Sequence, residues 1–366
     1  MKYLYILFLF TSIFNFAQVP AWYYDTATGN GYTLKTQLKN IISTDHTDQG
    51  YGALYTAYQT SDTDSYYEGD GTVLDMYSEN PSGVDSYNYN HNEMNCGSYT
   101  IEGDCYNREH IFPQGFFNSQ YPMKSDIHHV VPSDGRVNGF RGNYPFGEVG
   151  TNLISQSNIT NPTSNGSKVG NCIYPGYSGI VFEPIDEFKG DIARMLFYFA
   201  VRYEDEVTSG SWDAHTKANN PLNGTNDQVY ETWYINLLYD WHIGDPVSQR
   251  DIDRNDAAYT YQGNRNPFID HPEYVINVWG NLLSTPIYED ITSVSIYPNP
   301  VKDNFVYFSY TQNLDIIIYD VLGKQVIIEN ITPAKDFINI SNLNKGIYLV
   351  KIISNHGAVT KKLIIQ

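Results

Sequence analysis

The chain has 366 residues, with 22 Lys and Arg against 41 Asp and Glu and a formal charge of −19. That length implies about two domains of ~100–250 residues, and an apolar fraction of 41% with 28 Gly and 17 Pro excludes a disordered or a collagen-like chain. The acid excess argues against long-range attraction to nucleic acid or to an anionic membrane, so net charge alone votes against a nucleic-acid-binding protein.

Residues 1–17, MKYLYILFLFTSIFNFA, run from Lys2 through an apolar stretch to small or polar residues at Ala17. The pattern predicts a secretory signal peptide over 1–17, cleaved near Ala17–Gln18. It is too short to span a bilayer, and no later stretch reaches ~20 apolar residues, so no membrane span is expected. An exported chain meets an oxidising compartment. Cys96 and Cys105, separated by a short loop holding Gly97 and Gly103, are then the favoured disulfide pair, and Cys172 is expected as a buried thiol.

Helices are expected over 34–42 and 53–59. The Asp-, Tyr-, Asn- and Gly-rich passage 61–104 predicts loops around one strand at 72–77. Its Asp62, Asp64, Asp70 and Asp75 match no EF-hand spacing and are expected to form a solvated acidic surface. Over 183–206, Ile185, Phe188, Ile192, Met195, Leu196 and Phe199 recur at three- and four-residue spacing and predict a helix. Asp186 and Glu187 suit the positive end of its dipole, and Lys189 to Arg194 are expected to anchor it by salt bridges. Further helices are expected over 229–241, 249–261 and 271–283, with Pro246 as a break. No Gly-rich phosphate loop or dinucleotide fingerprint occurs, so residues 18–288 read as one α+β domain. From Val294 the composition changes to short β-rich runs divided by Pro, Asn and Gly, which predict a small all-β sandwich over 294–366.

The chemistry concentrates in Tyr106–Gly147. Arg108-Glu109-His110 precedes an apolar pair and Pro113; Asp126-Ile127-His128-His129 leads into Val130-Val131-Pro132; and Asn138, Arg141 and Asn143 follow on a short helix begun and capped at Ser133 or Asp134. A neutral imidazole takes a proton efficiently near pH 7. A carboxylate and an amide oxygen are hard ligands suited to Mg²⁺ or Ca²⁺ rather than Zn²⁺, and Arg matches phosphate through its planar fork. One base, one hard cation and Arg are the parts needed to hydrolyse a phosphodiester. Adjacent strand residues face opposite ways, so Glu109 and His110 can share a site only at a strand end, which Pro113 and Gly115 make plausible.

These motifs resemble the endonuclease I family of secreted non-specific nucleases with the ββα-metal (His-Me finger) fold. The resemblance runs from about 106 to 280: YNREHIFP at Tyr106–Pro113, DIHHVVP at Asp126–Pro132, VNGFRGN at Val137–Asn143, KGDIAR at Lys189–Arg194, DPVS at Asp245–Ser248 and QGNRNPFIDH at Gln262–His271. It implies His110 as general base, Glu109 and Asn138 as ligands of Mg²⁺ (Ca²⁺ or Mn²⁺ serving in its place), DNA and RNA as substrates without sequence preference, and 5′-phosphate products. Some family members carry an Arg between the REH segment and the helix. Here Gln114–Asp126 holds Lys124 but no Arg, so Arg108, Arg141 and Arg265 stand as candidates for the transition-state cation. Arg108 and Arg141 are placed with His110 as catalytic, and Arg265, Asn143 and Lys124 as substrate-binding. The tail resembles the C-terminal sorting domain of the type IX secretion system in Tyr297-Pro298-Asn299-Pro300, in DVLG at Asp320–Gly323 and in GIYLVK at Gly346–Lys351. That resemblance implies secretion machinery as a partner and an extracellular location reached by export across the outer membrane. A monomer is expected. Two other readings stand beside this one: an adhesin or glycan-binding protein, from the aromatic acidic surface, and a Zn²⁺ hydrolase built on His110, His128 and His129. The 33 Tyr assign no site by themselves.

Overall fold

A computed structural model describes residues 19–212, 219–283 and 294–366, apart from 310–312, 322, 333–334 and 355–356. The expected signal peptide lies outside the described residues, as do residues 284–293, which include the junction between the expected domains 18–288 and 294–366. The chain divides into two compact units, Met1–Leu283 and Ser284–Gln366. Among the described residues no helix is long and apolar enough to cross a membrane.

In the first unit, Leu34, Leu38 and Ile42 form one buried stripe along α1 (Gly31–Thr44), and Leu54, Ala57 and Tyr58 do the same on α2 (Leu54–Ser61). Next come β1 (Tyr106–His110), β2 (Val130–Asp134) and α3 (Gly135–Arg141). β1 and β2 pair antiparallel, with Tyr106 opposite Asp134 and His110 opposite Val130, so these elements form a ββα unit. Asp134 ends β2 and caps α3 by accepting the Val137 N–H at 2.7 Å. Gly142 ends the helix at φ +54°, a backbone conformation that a side chain disfavours.

β3 (Val149–Leu153), β4 (Lys168–Cys172) and β5 (Ile180–Glu183) form a three-stranded antiparallel sheet absent from the sequence expectations. β3 buries only Val149, so it carries no alternating apolar pattern to read. α4 (Lys189–Arg202) is buried at every residue after Lys189 and forms the axis of the main core. α5 (Thr232–Gly244), α6 (Gln249–Gln262), α7 (Pro267–Asp270) and α8 (Tyr274–Trp279) complete the unit. The helix expected over 271–283 is thus the short α8, preceded by a turn of its own at α7. The anchoring expected of Lys189–Arg194 is present as a buried network: Arg194 pairs with Asp191 and Asp251, and Arg250 pairs with Asp191.

The strand expected at 72–77 does not form. Val73 makes one isolated bridge with Thr63, and the chain then turns because the Asp75 side chain takes the Tyr77 N–H (2.9 Å) while its carbonyl takes those of Ser78 and Glu79. The acidic passage is also not a solvated surface. Asp62 is buried against Arg254 (2.8 Å), Asp64 accepts the N–H groups of Tyr66, Tyr67 and Gly69, and Asp75 receives the Asp134 N–H at 2.7 Å; of the four, only Asp70 is exposed.

The Asp126-Ile127-His128-His129 segment enters the core rather than a metal centre. Asp126 accepts hydrogen bonds from Tyr198 (2.8 Å), Tyr203 (2.6 Å) and Gln262 (2.7 Å), which ties the approach to β2 to α4 and α6. His128 Nε2 donates to the Asn264 carbonyl and His129 Nε2 to that of Met123. Burial pushes each imidazole down to about 4. An unfolded His titrates near 6.5, so protonation favours the unfolded chain. The stability contributed by the two neutral rings is complete above pH ~6.5 and lost as pH falls from there toward about 4. The contribution of these two rings to the melting temperature should therefore be constant above about pH 7 and fall between about 6.5 and 4. A His128→Gln, His129→Gln double variant should flatten that fall, as read by thermal melts across the range.

The second unit holds β6 (Ser295–Tyr297), β7 (Phe305–Ser309), β8 (Leu314–Asp320), β9 (Gln325–Ile331), β10 (Phe337–Asn339), β11 (Gly346–Ser354) and β12 (Gly357–Ile365). They make two antiparallel sheets, ordered β10-β7-β6 and β12-β11-β8-β9. Val306 and Phe308 of the first share one buried cluster with Ile316, Ile318, Val350 and Leu363 of the second, giving the expected all-β sandwich.

Candidate active site

The end of β1 and the face of α3 line a cleft of about 540 Å³ that includes Asn107, Arg108, Glu109, His110, Asn138, Arg141 and Asn143. His110 is the last residue of β1, the strand end that lets it share the cleft with Glu109. Its Nε2 is 3.0 Å from the Lys124 carbonyl, an acceptor only, so Nε2 carries the proton and Nδ1 holds the lone pair. The Tyr51 ring stacks on the imidazole at 5.7 Å, with Phe117 edge-on at 6.0 Å. Burial, with His129 beside it, pushes His110 down to about 3, so the ring is neutral at physiological pH.

Glu109 is buried, and burial raises its carboxyl above the usual range. Tyr77 Oη donates to its Oε1 at 2.9 Å and Arg141 Nη1 to the same oxygen at 3.0 Å, so Oε2 carries neither bond. Asn138 gives Nδ2 to Asn107 Oδ1 at 2.7 Å, which leaves its own Oδ1 as the amide's unused acceptor. A carboxylate oxygen and an amide oxygen in one cleft fit a hard divalent cation.

Arg141 lies on the cleft wall but is 1% exposed and engaged on every side. Besides Glu109, it donates to the carbonyls of His110 (2.9 Å), Ile111 (2.8 Å) and Tyr144 (3.0 Å), and its guanidinium lies 4.5 Å from the Phe146 ring centre. Arg141, expected among the catalytic residues, thus spends its donors on the backbone at His110, Ile111 and Tyr144 and on the Glu109 carboxylate rather than on the open cleft. Arg265, expected among the substrate-binding residues, is engaged elsewhere as well. It is buried between Asp270 and Asp256 and does not line the cleft. Tyr23 accepts its backbone N–H, and the network ties α6 to α7.

Arg108 differs from both. It lines the cleft half-buried, its guanidinium carbon 3.4 Å from the Tyr51 ring centre and 4.3 Å from that of Tyr55. Nη1 reaches the Tyr51 carbonyl at 2.7 Å, and Nε is buried with no partner. Asn143 is exposed on the cleft wall. Lys124 does not line the cleft; its carbonyl orients His110 and its ammonium lies 4.9 Å from the Tyr51 ring centre.

Sequence reasoning did not single out Tyr51, Tyr77, Tyr99 or Asn107. Tyr99 packs its ring across α3 so closely that a Cβ at Gly135 would lie 2.5 Å from the ring and one at Gly139 2.3 Å from the hydroxyl. The two glycines four apart on the helix were the available signal of that approach. Cys96 and Cys105 are bridged, and Cys96 stands on the cleft rim; Cys172 is buried and free. His110, His128 and His129 do not converge on a point. Among the described residues the one group of three His, Cys, Asp or Glu side chains able to share an ion is Asp64, Glu68 and Glu79, so a three-histidine zinc centre has no support in the geometry.

A two-stranded antiparallel ribbon feeding a short helix, with a histidine and a carboxylate at the strand end and an asparagine on the helix, defines a ββα-metal nuclease site. The Endonuclease I family matches residues 30–273, and the chain belongs to that family; it is a nuclease of a metal-dependent class. The secretion system C-terminal sorting domain matches residues 295–366, so the β-sandwich is a secretion tail. The extracellular ribonuclease of Bacillus subtilis (strain 168) is 34% identical over 266 residues, which cover 70% of this chain and 78% of the relative. The extracellular ribonuclease of Bacillus amyloliquefaciens is 34% identical over 264 residues with the same coverage of 70% and 78%.

Proposed function

We propose that the protein is an extracellular, sequence-non-specific endonuclease that hydrolyses DNA and RNA to 5′-phosphate and 3′-hydroxyl ends. The observation that carries the proposal is one cleft holding a neutral imidazole with its lone pair on Nδ1, two uncommitted hard oxygen donors and one partly unpaired guanidinium. RNA as a substrate is supported by the two extracellular ribonucleases that the chain resembles.

In this reading His110 Nδ1 takes a proton from the water that attacks phosphorus. The P–O3′ bond breaks, and the departing 3′ oxygen is protonated from solvent. The Lys124 carbonyl holds the ring and its tautomer, and stacked Tyr51 limits its rotation. Glu109 Oε2 and Asn138 Oδ1 would hold Mg²⁺, which would supply positive charge against the negative charge that develops on phosphate and leaving oxygen. Arg108 replaces the family's missing arginine as the phosphate clamp, because its Nε is a buried donor still seeking an acceptor. Contacts of this kind address sugar and phosphate, which accounts for indifference to sequence. Tyr106–Gly147 holds four Lys and Arg against three Asp and Glu, a near-neutral patch in an acidic chain, so substrate capture is expected to be weak and sensitive to salt.

Supercoiled plasmid and a structured RNA, each incubated with the full-length protein and Mg²⁺, should be nicked or cleaved, with EDTA stopping both. An intact plasmid alongside binding to a glycan array would favour the adhesin reading, and restoration by Zn²⁺ alone would favour the zinc hydrolase. Arg108→Ala should lower kcat about 10²- to 10³-fold with the fold intact, the scale of losing one donor to transition-state charge. Arg108→Lys should recover only part of it, since an ammonium cannot make the planar two-donor contact. Single-turnover cleavage with a matched circular dichroism spectrum checks both.

A further inference from the structure

Asp64, Glu68 and Glu79 each place one carboxylate oxygen within 4.8 Å of the others. Glu79 is 1% exposed, yet its Oε1 is buried without a hydrogen-bond partner, an expensive arrangement for a carboxyl group left to itself. Among the described residues no Lys or Arg forms an ion pair with any of the three, and the guanidinium of Arg254 is taken by Asp62. We propose that Asp64, Glu68 and Glu79 form a structural Ca²⁺ site, separate from the cleft, that locks the chain segment carrying Asp75 and Tyr77.

Oxygen ligands of one Ca²⁺ lie ~2.3–2.6 Å from it, so two of them stand no more than about 5 Å apart, and the spacing of these three fits. All three donors are hard oxygens, which favours Ca²⁺ or Mg²⁺ over Zn²⁺. One ligand is exposed, and the loop between the first two is irregular, conditions that suit the tolerant coordination of Ca²⁺ better than the strict octahedron of Mg²⁺. The three N–H groups on Asp64 hold that ligand in place before any ion binds. The site's consequence runs along the chain: Tyr77, two residues before Glu79, donates to Glu109, and Asp75 accepts the backbone N–H of Asp134, the cap of α3. Ca²⁺ here would fix the segment that positions both elements of the ββα unit.

The test is Ca²⁺ titration of the full-length protein by calorimetry, with Glu109→Ala in the background to remove the cleft's carboxylate. One Ca²⁺ per chain should remain, and Glu79→Gln should abolish it. Thermal melts read the same site: at ~100-fold over Kd, Ca²⁺ should raise Tm by about 5 °C in the Glu109→Ala protein and not in the Glu79→Gln derivative. In EDTA the two should melt alike, because Gln keeps the size and shape of Glu. Glu68→Gln, at an exposed position that does not threaten folding, should weaken Ca²⁺ binding at least tenfold. Loss of all Ca²⁺ binding with Glu109→Ala alone would overturn the proposal, as would an unchanged stoichiometry and affinity in both Glu79→Gln and Glu68→Gln.

Discussion

His110→Ala should lower kcat for plasmid nicking by about 10²- to 10⁴-fold, the contribution of a positioned general base, while the Kd for uncleaved DNA stays within about threefold of wild type. The expectation rests on tautomer as much as on proximity. The Lys124 carbonyl claims Nε2, so the proton acceptor is Nδ1, and burial keeps the ring uncharged. Binding measured in EDTA, where cleavage stops, beside single-turnover rates in Mg²⁺, separates the two quantities. A parallel fall of affinity and rate would show that His110 holds substrate or structure instead of moving a proton.

Arg141→Ala should be the most destabilising single change at the cleft, at about 3–5 kcal/mol, equivalent to a Tm lower by roughly 10 °C. The buried guanidinium serves Glu109 and three backbone carbonyls, so its removal strands a buried carboxylate and leaves the carbonyls of His110, Ile111 and Tyr144 without that donor. Activity should fall with it, and Arg141→Lys should recover charge opposite Glu109 but not the three carbonyl bonds. Thermal melts in EDTA read the structural part, and kcat at a temperature where both proteins are folded reads the rest. An unchanged Tm with lost activity would return Arg141 to the phosphate.

The two arginine outcomes show where sequence reasoning ran out. Arg108, Arg141 and Arg265 carry the same fork and sit in equally suggestive motifs, and nothing in their spacing ranks them. Rank comes from acceptors that arrive from distant parts of the chain. Asp270 and Asp256 hold Arg265 away from the cleft, backbone carbonyls enclose Arg141, and of the three only Arg108 both lines the cleft and keeps a buried guanidinium nitrogen unpaired. The acidic passage failed for the same reason. Counted along the chain, Asp62, Asp64 and Asp75 look like a solvated run; in space they meet Arg254, loop N–H groups and the start of α3.

Length and composition implied about two domains, and the chain divides into two compact units; the net charge of −19 leads one to expect only a weak electrostatic pull on a polyanion. Local motifs determined the ββα unit, because a strand end, a cap and a short helix are all encoded within Tyr106–Gly147. They also placed His110, Glu109 and Asn138 together, since β1 and α3 are joined through β2 by close pairing. Only the tertiary structure decided which nitrogen of His110 is free, which arginine keeps an unpaired nitrogen at the cleft and which tyrosines pack around it. Those answers depend on partners such as Lys124, Tyr51 and Tyr77, whose hydrogen bonds and ring contacts form when segments far apart in sequence are brought within a few ångströms.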